Sequence, residues 1–117
     1  MSIQNKLKEV YGALTTISDD LPVFHYTASS DTKAPYLLWY EESEGDSLEA
    51  GNHKAEQSLD GWVDFFTPNE FDELVDSIQD SLNGIENLSW TLSNVSYGDP
   101  SNSDDNLIHY TWSWRIL

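Results

Sequence analysis

The sequence predicts an α+β domain, a two-layer sandwich: a mostly antiparallel sheet of about five strands with two helices packed on one face. Three observations point there. Residues 3–17 and 71–82 repeat apolar side chains at helical spacing. Five other stretches read as strands, and the last of them alternates without a break. The order is helix, strand, strand, strand, helix, strand, strand, with no internal repeat and no inter-domain linker.

The elements follow in turn. Ile3, Leu7, Val10, Tyr11, Leu14 and Ile17 form the inner stripe of the first helix, and Gln4, Lys6, Lys8 and Glu9 its polar outer face. Ser18-Asp19-Asp20 stops it. Val23 to Thr27 is a short strand. After a polar loop, Pro35 opens a stronger strand, Tyr36 to Glu42, apolar on both faces for five residues. Residues 43–56 are acidic and weakly patterned, with Leu48 the only large apolar side chain. They read as a long, mobile loop or arm between paired strands, a kind of segment that is often functional.

The best-marked unit is residues 57–84. A strand from Gln57 to Phe66 leads into a helix with Thr67 as N-cap and Pro68 at the first helical position. Glu70 completes a capping box. Phe71, Leu74, Val75, Ile78 and Leu82 make the apolar stripe, and Gly84 suits a left-handed C′ position. Leu88 to Leu92 alternates and continues through Val95 and Tyr97, after a phase change near Asn94 that signals a bulge. In the last strand Ile108, Tyr110, Trp112, Trp114 and Ile116 point one way, and His109, Thr111, Ser113 and Arg115 the other.

Composition narrows the function. The 117 residues form one domain. They hold 5 basic and 21 acidic residues, a net charge of −16. Such a surface lacks the clustered Lys and Arg that phosphate backbones or anionic membranes require. At 13% aromatic the chain is no disordered acidic tail. It has no Cys, hence no disulfide framework, thiolate nucleophile or thiolate metal site. The N-terminus lacks the apolar core of a signal peptide, and no apolar run spans a bilayer. The chain reads as cytoplasmic when made.

No motif for catalysis emerges. His25, His53 and His109 lie on three separate elements, with no metal-ligand spacing. A calcium loop starting at Asp99 fails, because Asp104 replaces the glycine and Tyr110 the final glutamate. No phosphate loop or nucleophile elbow is present. The expectation is a protein without catalytic residues, metal or cofactor. The aromatic excess is the remaining signal. Tyr40, Trp62, Trp112 and Trp114 lie on predicted strands and are candidates for an interface, where Tyr and Trp are enriched. Their bland reading is a core of large residues; a sugar-binding platform is a third.

The ordered set of phrases resembles the small tail-completion proteins of long-tailed phages and prophages: tail terminators and tail-to-head joining proteins. The likeness covers most of the chain. It runs from an N-terminal helix through Leu21-Pro22-Val23-Phe24-His25 and Ala34-Pro35-Tyr36-Leu37-Leu38-Trp39-Tyr40 to Trp62-Val63-Asp64-Phe65-Phe66-Thr67, the helix from Phe71 to Leu82 and a final aromatic strand. Gly61 and the Ser/Asp-rich stretch before the last strand depart from the pattern.

The resemblance implies a non-catalytic virion protein that forms a ring, typically six-fold, at the head-proximal end of the tail. Such a ring ends tube growth or joins tail to head. Its partners would be the tail tube protein and the head connector, and it would assemble in the host cytoplasm. DNA would only pass through the lumen, and an acidic wall would let the backbone slide. In this reading Asp46, Leu48, Glu49, Asn52, His53 and Lys54 are candidates for a subunit-interface or lumen loop. The alternative from a different class is a small binding module for carbohydrate or protein that uses its strand aromatics. An enzyme, and an acidic mimic of nucleic acid, rank below these.

Overall fold

The computed structural model describes residues 2–29, 31–50, 53–98 and 106–117, and their side chains outside residues 46–56. The elements are α1 (Ile3–Thr15), β1 (Val23–His25), β2 (Tyr36–Ala50), β3 (His53–Thr67), α2 (Leu74–Asn83), β4 (Leu88–Tyr97) and β5 (Ile108–Ile116). The five strands form one sheet in the order β1-β2-β3-β5-β4. All pairs are antiparallel except β1 with β2. Two helices on one face of a mostly antiparallel sheet make the α+β sandwich that the sequence predicts.

Alternation decides which face is covered. Leu37, Trp39, Leu59, Val63, Phe65, Trp112, Trp114 and Ile116 point to the helices and are buried. They meet Val10 and Leu14 of α1 and Ile78 and Leu82 of α2 in one core. Polar contacts fix the helices over it. Trp112 Nε1 donates to Gln79 Oε1 at 3.1 Å, Trp90 Nε1 to Asn83 Oδ1 at 2.8 Å, and Ser81 Oγ to the Ala13 carbonyl at 2.8 Å.

Lys6 is not on the outer face of α1. It is 2% exposed, and its ammonium donates to the Gln57 carbonyl of β3. The helical angle puts Lys6 beside Ile3 and Val10. Its long stem covers apolar surface while its head finds a main-chain acceptor.

The N-terminus of α2 also differs from expectation. Thr67 is a fully buried strand residue, not a cap. Its hydroxyl donates to Asp72 Oδ2 at 2.6 Å, while Asp72 Oδ1 accepts from Leu74 N at 2.9 Å. Asp72 therefore anchors the helix start, and residues 68–73 form a turn. Phe71 leaves the apolar stripe: it is 88% exposed, with a left-handed φ of 58°. Gly84 has φ −80°, so the left-handed position after this helix is Asn87 (φ 65°) instead.

Of the mobile loop or arm expected over residues 43–56, the described residues 43–50 and 53–56 belong to paired strands. Ser43 pairs with Asp60, Leu48 with Glu56 and Ala50 with His53, so β2 and β3 run on as a hairpin. The pairing of β3 with β5 stops at Leu59–Ile116, and that of β1 with β2 at His25–Trp39. Beyond these points the hairpin is a two-stranded arm. Register shifts near Ser43, Ser47 and Glu49 bend it. Both faces of such a ribbon can meet water, so its sequence need not alternate.

Candidate functional site

The sheet face away from the helices carries the densest set of polar and aromatic side chains. Strand register builds it. Asp64 stands opposite Thr111, Trp62 opposite Ser113, and Asp60 opposite Arg115. Asp64 is nearly buried and accepts from His109 Nε2 at 3.0 Å and from the Thr111 hydroxyl at 2.9 Å. Desolvation raises the pKa of Tyr36 and Tyr40, and the Asp64 carboxylate adds to the rise in both.

This cluster resembles a catalytic triad in composition only. A triad histidine uses one ring nitrogen for the carboxylate and the other for the nucleophile. Here Nε2 alone faces both Asp64 Oδ1 and Thr111 Oγ1, the latter at 3.2 Å. The Thr111 hydroxyl already donates its hydrogen bond to the carboxylate. The three groups satisfy one another and hold β3 to β5. Among the described residues, no group of three or more His, Cys, Asp or Glu side chains is placed to hold a metal ion.

Three rings of this face stack on one another. Tyr36 stacks on Phe66 at 4.8 Å between centroids, and Phe66 on His109 at 4.1 Å. Phe66 is thus covered on both faces. A sugar platform instead presents a ring face to its ligand. Trp62 stands further along this face, and its indole N–H donates to Glu42. An open groove beside it is lined by Glu42, Asp60, Trp62, Thr91, Ser113 and Arg115, among others. On the other face of the sheet, at its β1 edge, His25 is sandwiched between Tyr26 and Trp39, each centroid 3.8 Å away, and Nε2 donates to Glu41 at 2.9 Å.

Arg115 grips Asp60 with two hydrogen bonds, Nε at 2.6 Å and Nη2 at 3.0 Å. These bonds hold the Asp60 carboxyl below the usual carboxylate range. A depressed folded-state pKa gives stability that is present above the unfolded value, about pH 4, and lost on further acidification. The pair is partly exposed, with side chains at 40% and 32%, so its contribution is modest. Asp60→Asn is expected to cost about 1 kcal/mol at neutral pH. Urea unfolding from pH 7 to pH 3 should show the gap between wild type and variant closing only below about pH 4. A gap independent of pH would assign the loss to packing.

The predicted interface residues fall into separate groups. Trp112 and Trp114 are core residues, 0% and 2% exposed, and so leave the candidate interface. Tyr40 and Trp62 are half-buried on the open face. Asp46, Leu48, Glu49, His53 and Lys54 lie on the paired strands of the arm, and Asn52 lies outside the described residues. The arm and the open face are therefore different surfaces. The pairing of His109 with Asp64 escaped sequence reading, because it depends on β5 register. The polar alternation of His109 and Thr111 was its only signal.

Comparison with known proteins finds no family model and no curated protein that matches the chain. Among the described residues, no helix is long and apolar enough to cross a membrane.

Proposed function

We propose that this chain is a non-catalytic assembly subunit that forms a ring of the tail-completion type, ending a phage tail tube or joining it to the head. The observation that carries the reading is the hairpin arm. It continues β2 and β3 past both neighbouring strands and gives the molecule a long axis of 55 Å against 28 and 23 Å. An unsupported two-stranded ribbon is marginal in water by itself. Contact with another subunit would supply the missing support.

The chemistry of the open face is compatible with this role. Its carboxylates Asp64, Asp60 and Glu42 are paired within the subunit, and the net charge of −16 disfavours binding of passing DNA. The phage assignment rests on the family resemblance, and the assembly assignment on the arm.

Light scattering after size exclusion tests the reading, with and without tail tubes. The subunit has a mass of 13.3 kDa. The expected result is a closed oligomer of about six subunits, favoured by salt that screens like charges. A chain that neither self-associates nor seats on tail tubes would sink it.

A further inference from the structure

We propose that the far half of edge strand β4, Asn94 to Tyr97, takes an added strand from another protein: an extended segment with apolar side chains on one face and Lys or Arg at its ends. This goes beyond the ring reading and does not depend on it. β4 is the outermost strand of the sheet, and its last seven residues are all exposed. Such edges are normally defended by charge, proline, bulges or a covering segment. β4 has no proline and no charged residue, and the stretch from Asn87 to Gly98 is the longest without Asp, Glu, Lys or Arg in a chain of net charge −16. A bulge between Leu92 and Asn94 interrupts the edge, and beyond it Asn94 to Tyr97 pair with β5 without a break.

Apolar surface lies beside that run. On the helix side of β4, Leu88 and Trp90 are half-buried, whereas Leu92, Val95 and Tyr97 are 39%, 50% and 72% exposed, so the cover of α2 ends along the strand. Val95 and Tyr97 line a groove with Ile108, Tyr110 and Glu70. Phe71, next to Glu70 in the turn before α2, is held out in solvent at a left-handed φ. An added strand recognises such a site twice. Its main chain pairs with the edge, and its alternate side chains enter the groove.

Charge sets the chemistry of the partner. Glu70 lines the groove, and Glu86 and Asp99 bound the charge-free stretch in the sequence. Lys or Arg at the ends of an apolar strand matches that pattern, and the net charge of −16 draws a basic segment from a distance. A second copy offers less at this edge. Its open β2 edge from Tyr40 onward carries Glu41, Glu42 and Glu44. Of its five Lys and Arg, Lys6 is buried and Arg115 grips Asp60. Two β4 edges facing each other would bring two acidic chains together with no positive charge between them.

The probe is a fluorescent peptide, Lys-Val-Thr-Val-Thr-Val-Lys, followed by anisotropy against the full chain at fixed salt. Binding with a Kd below about 1 mM is expected. The same peptide with Glu for both Lys, or with Pro for its central Val, should bind at least about tenfold more weakly. Glu70→Lys should weaken binding about tenfold. Asp19→Lys makes an equal change of net charge just before β1, at the other edge of the sheet, and should leave binding within about twofold. Circular dichroism checks that both variants fold. Hydrogen exchange should slow at the amides of Asn94 to Tyr97 when the peptide is bound, a change that loose charge attraction does not produce. No binding at about 1 mM, equal binding of the proline peptide, equal effects of the two charge reversals, or slowed exchange elsewhere in place of β4 would each overturn the proposal. So would self-association that the peptide displaces, which would give this edge to a second copy.

Discussion

Gly61→Ala is expected to destabilise the folded subunit by about 3 kcal/mol, lowering Tm by roughly 12 °C. Strand propensity alone predicts the opposite sign, since Ala in a strand interior gains about 0.5–1 kcal/mol over Gly. Packing decides the matter. Gly61 faces the core between Leu59 and Val63, and the Trp114 ring lies directly over it. A Cβ there would meet Trp114 Cζ2 at 2.1 Å, Cε2 at 2.5 Å and the Tyr40 carbonyl oxygen at 2.4 Å. The indole is 2% exposed, and the carbonyl belongs to the neighbouring strand. Urea denaturation of the monomer measures the change. A stability equal to or above wild type would show that the ring does not seat on the backbone at this position.

Removing the tip of the arm should abolish assembly and spare the fold. The variant deletes residues 46–54 and closes the hairpin with a two-residue Asn-Gly turn. Among the described side chains, the buried residues of the two strands are Leu37 and Trp39 on β2 and, on β3, residues 58–67 apart from Asp60, Trp62 and Phe66. The unfolding free energy is therefore expected to stay within about 0.5 kcal/mol of wild type. Mass by light scattering should fall to the 13.3 kDa subunit less the deleted piece. Normal assembly of the shortened chain would end the role given to the arm. A failure to fold would show that the ribbon stabilises the body, and a milder variant with Asp46, Glu49 and Lys54 changed to Ser would then read assembly alone.

Legibility of the sequence followed from how strongly each segment is constrained by one face. β5 was readable residue by residue, since Trp112, Trp114 and Ile116 are all buried on one side. The bulge in β4 was readable too, and lies between Leu92 and Asn94. The arm was not, because strand pairing there need not leave an alternating pattern. Thr67 and Pro68 looked like a helix start for a sound local reason. Burial of Thr67 outweighed it, and Asp72 took over as the helix anchor. Lys6 misled through its charge, although its angular position on α1 already placed it inward.

By itself the sequence determined the class of the protein: one α+β domain with its helices on one side, strongly acidic, without thiol chemistry. Those properties follow from periodicity and composition, which are sums over local choices. Tertiary structure alone decided which side chains meet. It set Asp64 against His109 and Thr111, laid Trp114 over Gly61, and moved Trp112 and Trp114 from candidate interface to core. It also turned residues 43–50 and 53–56 into a paired arm and left β4 as an uncharged edge strand. The physical reason is register. A strand's alternation says that residues share a face, but only pairing with a neighbour says which face is covered and what stands opposite.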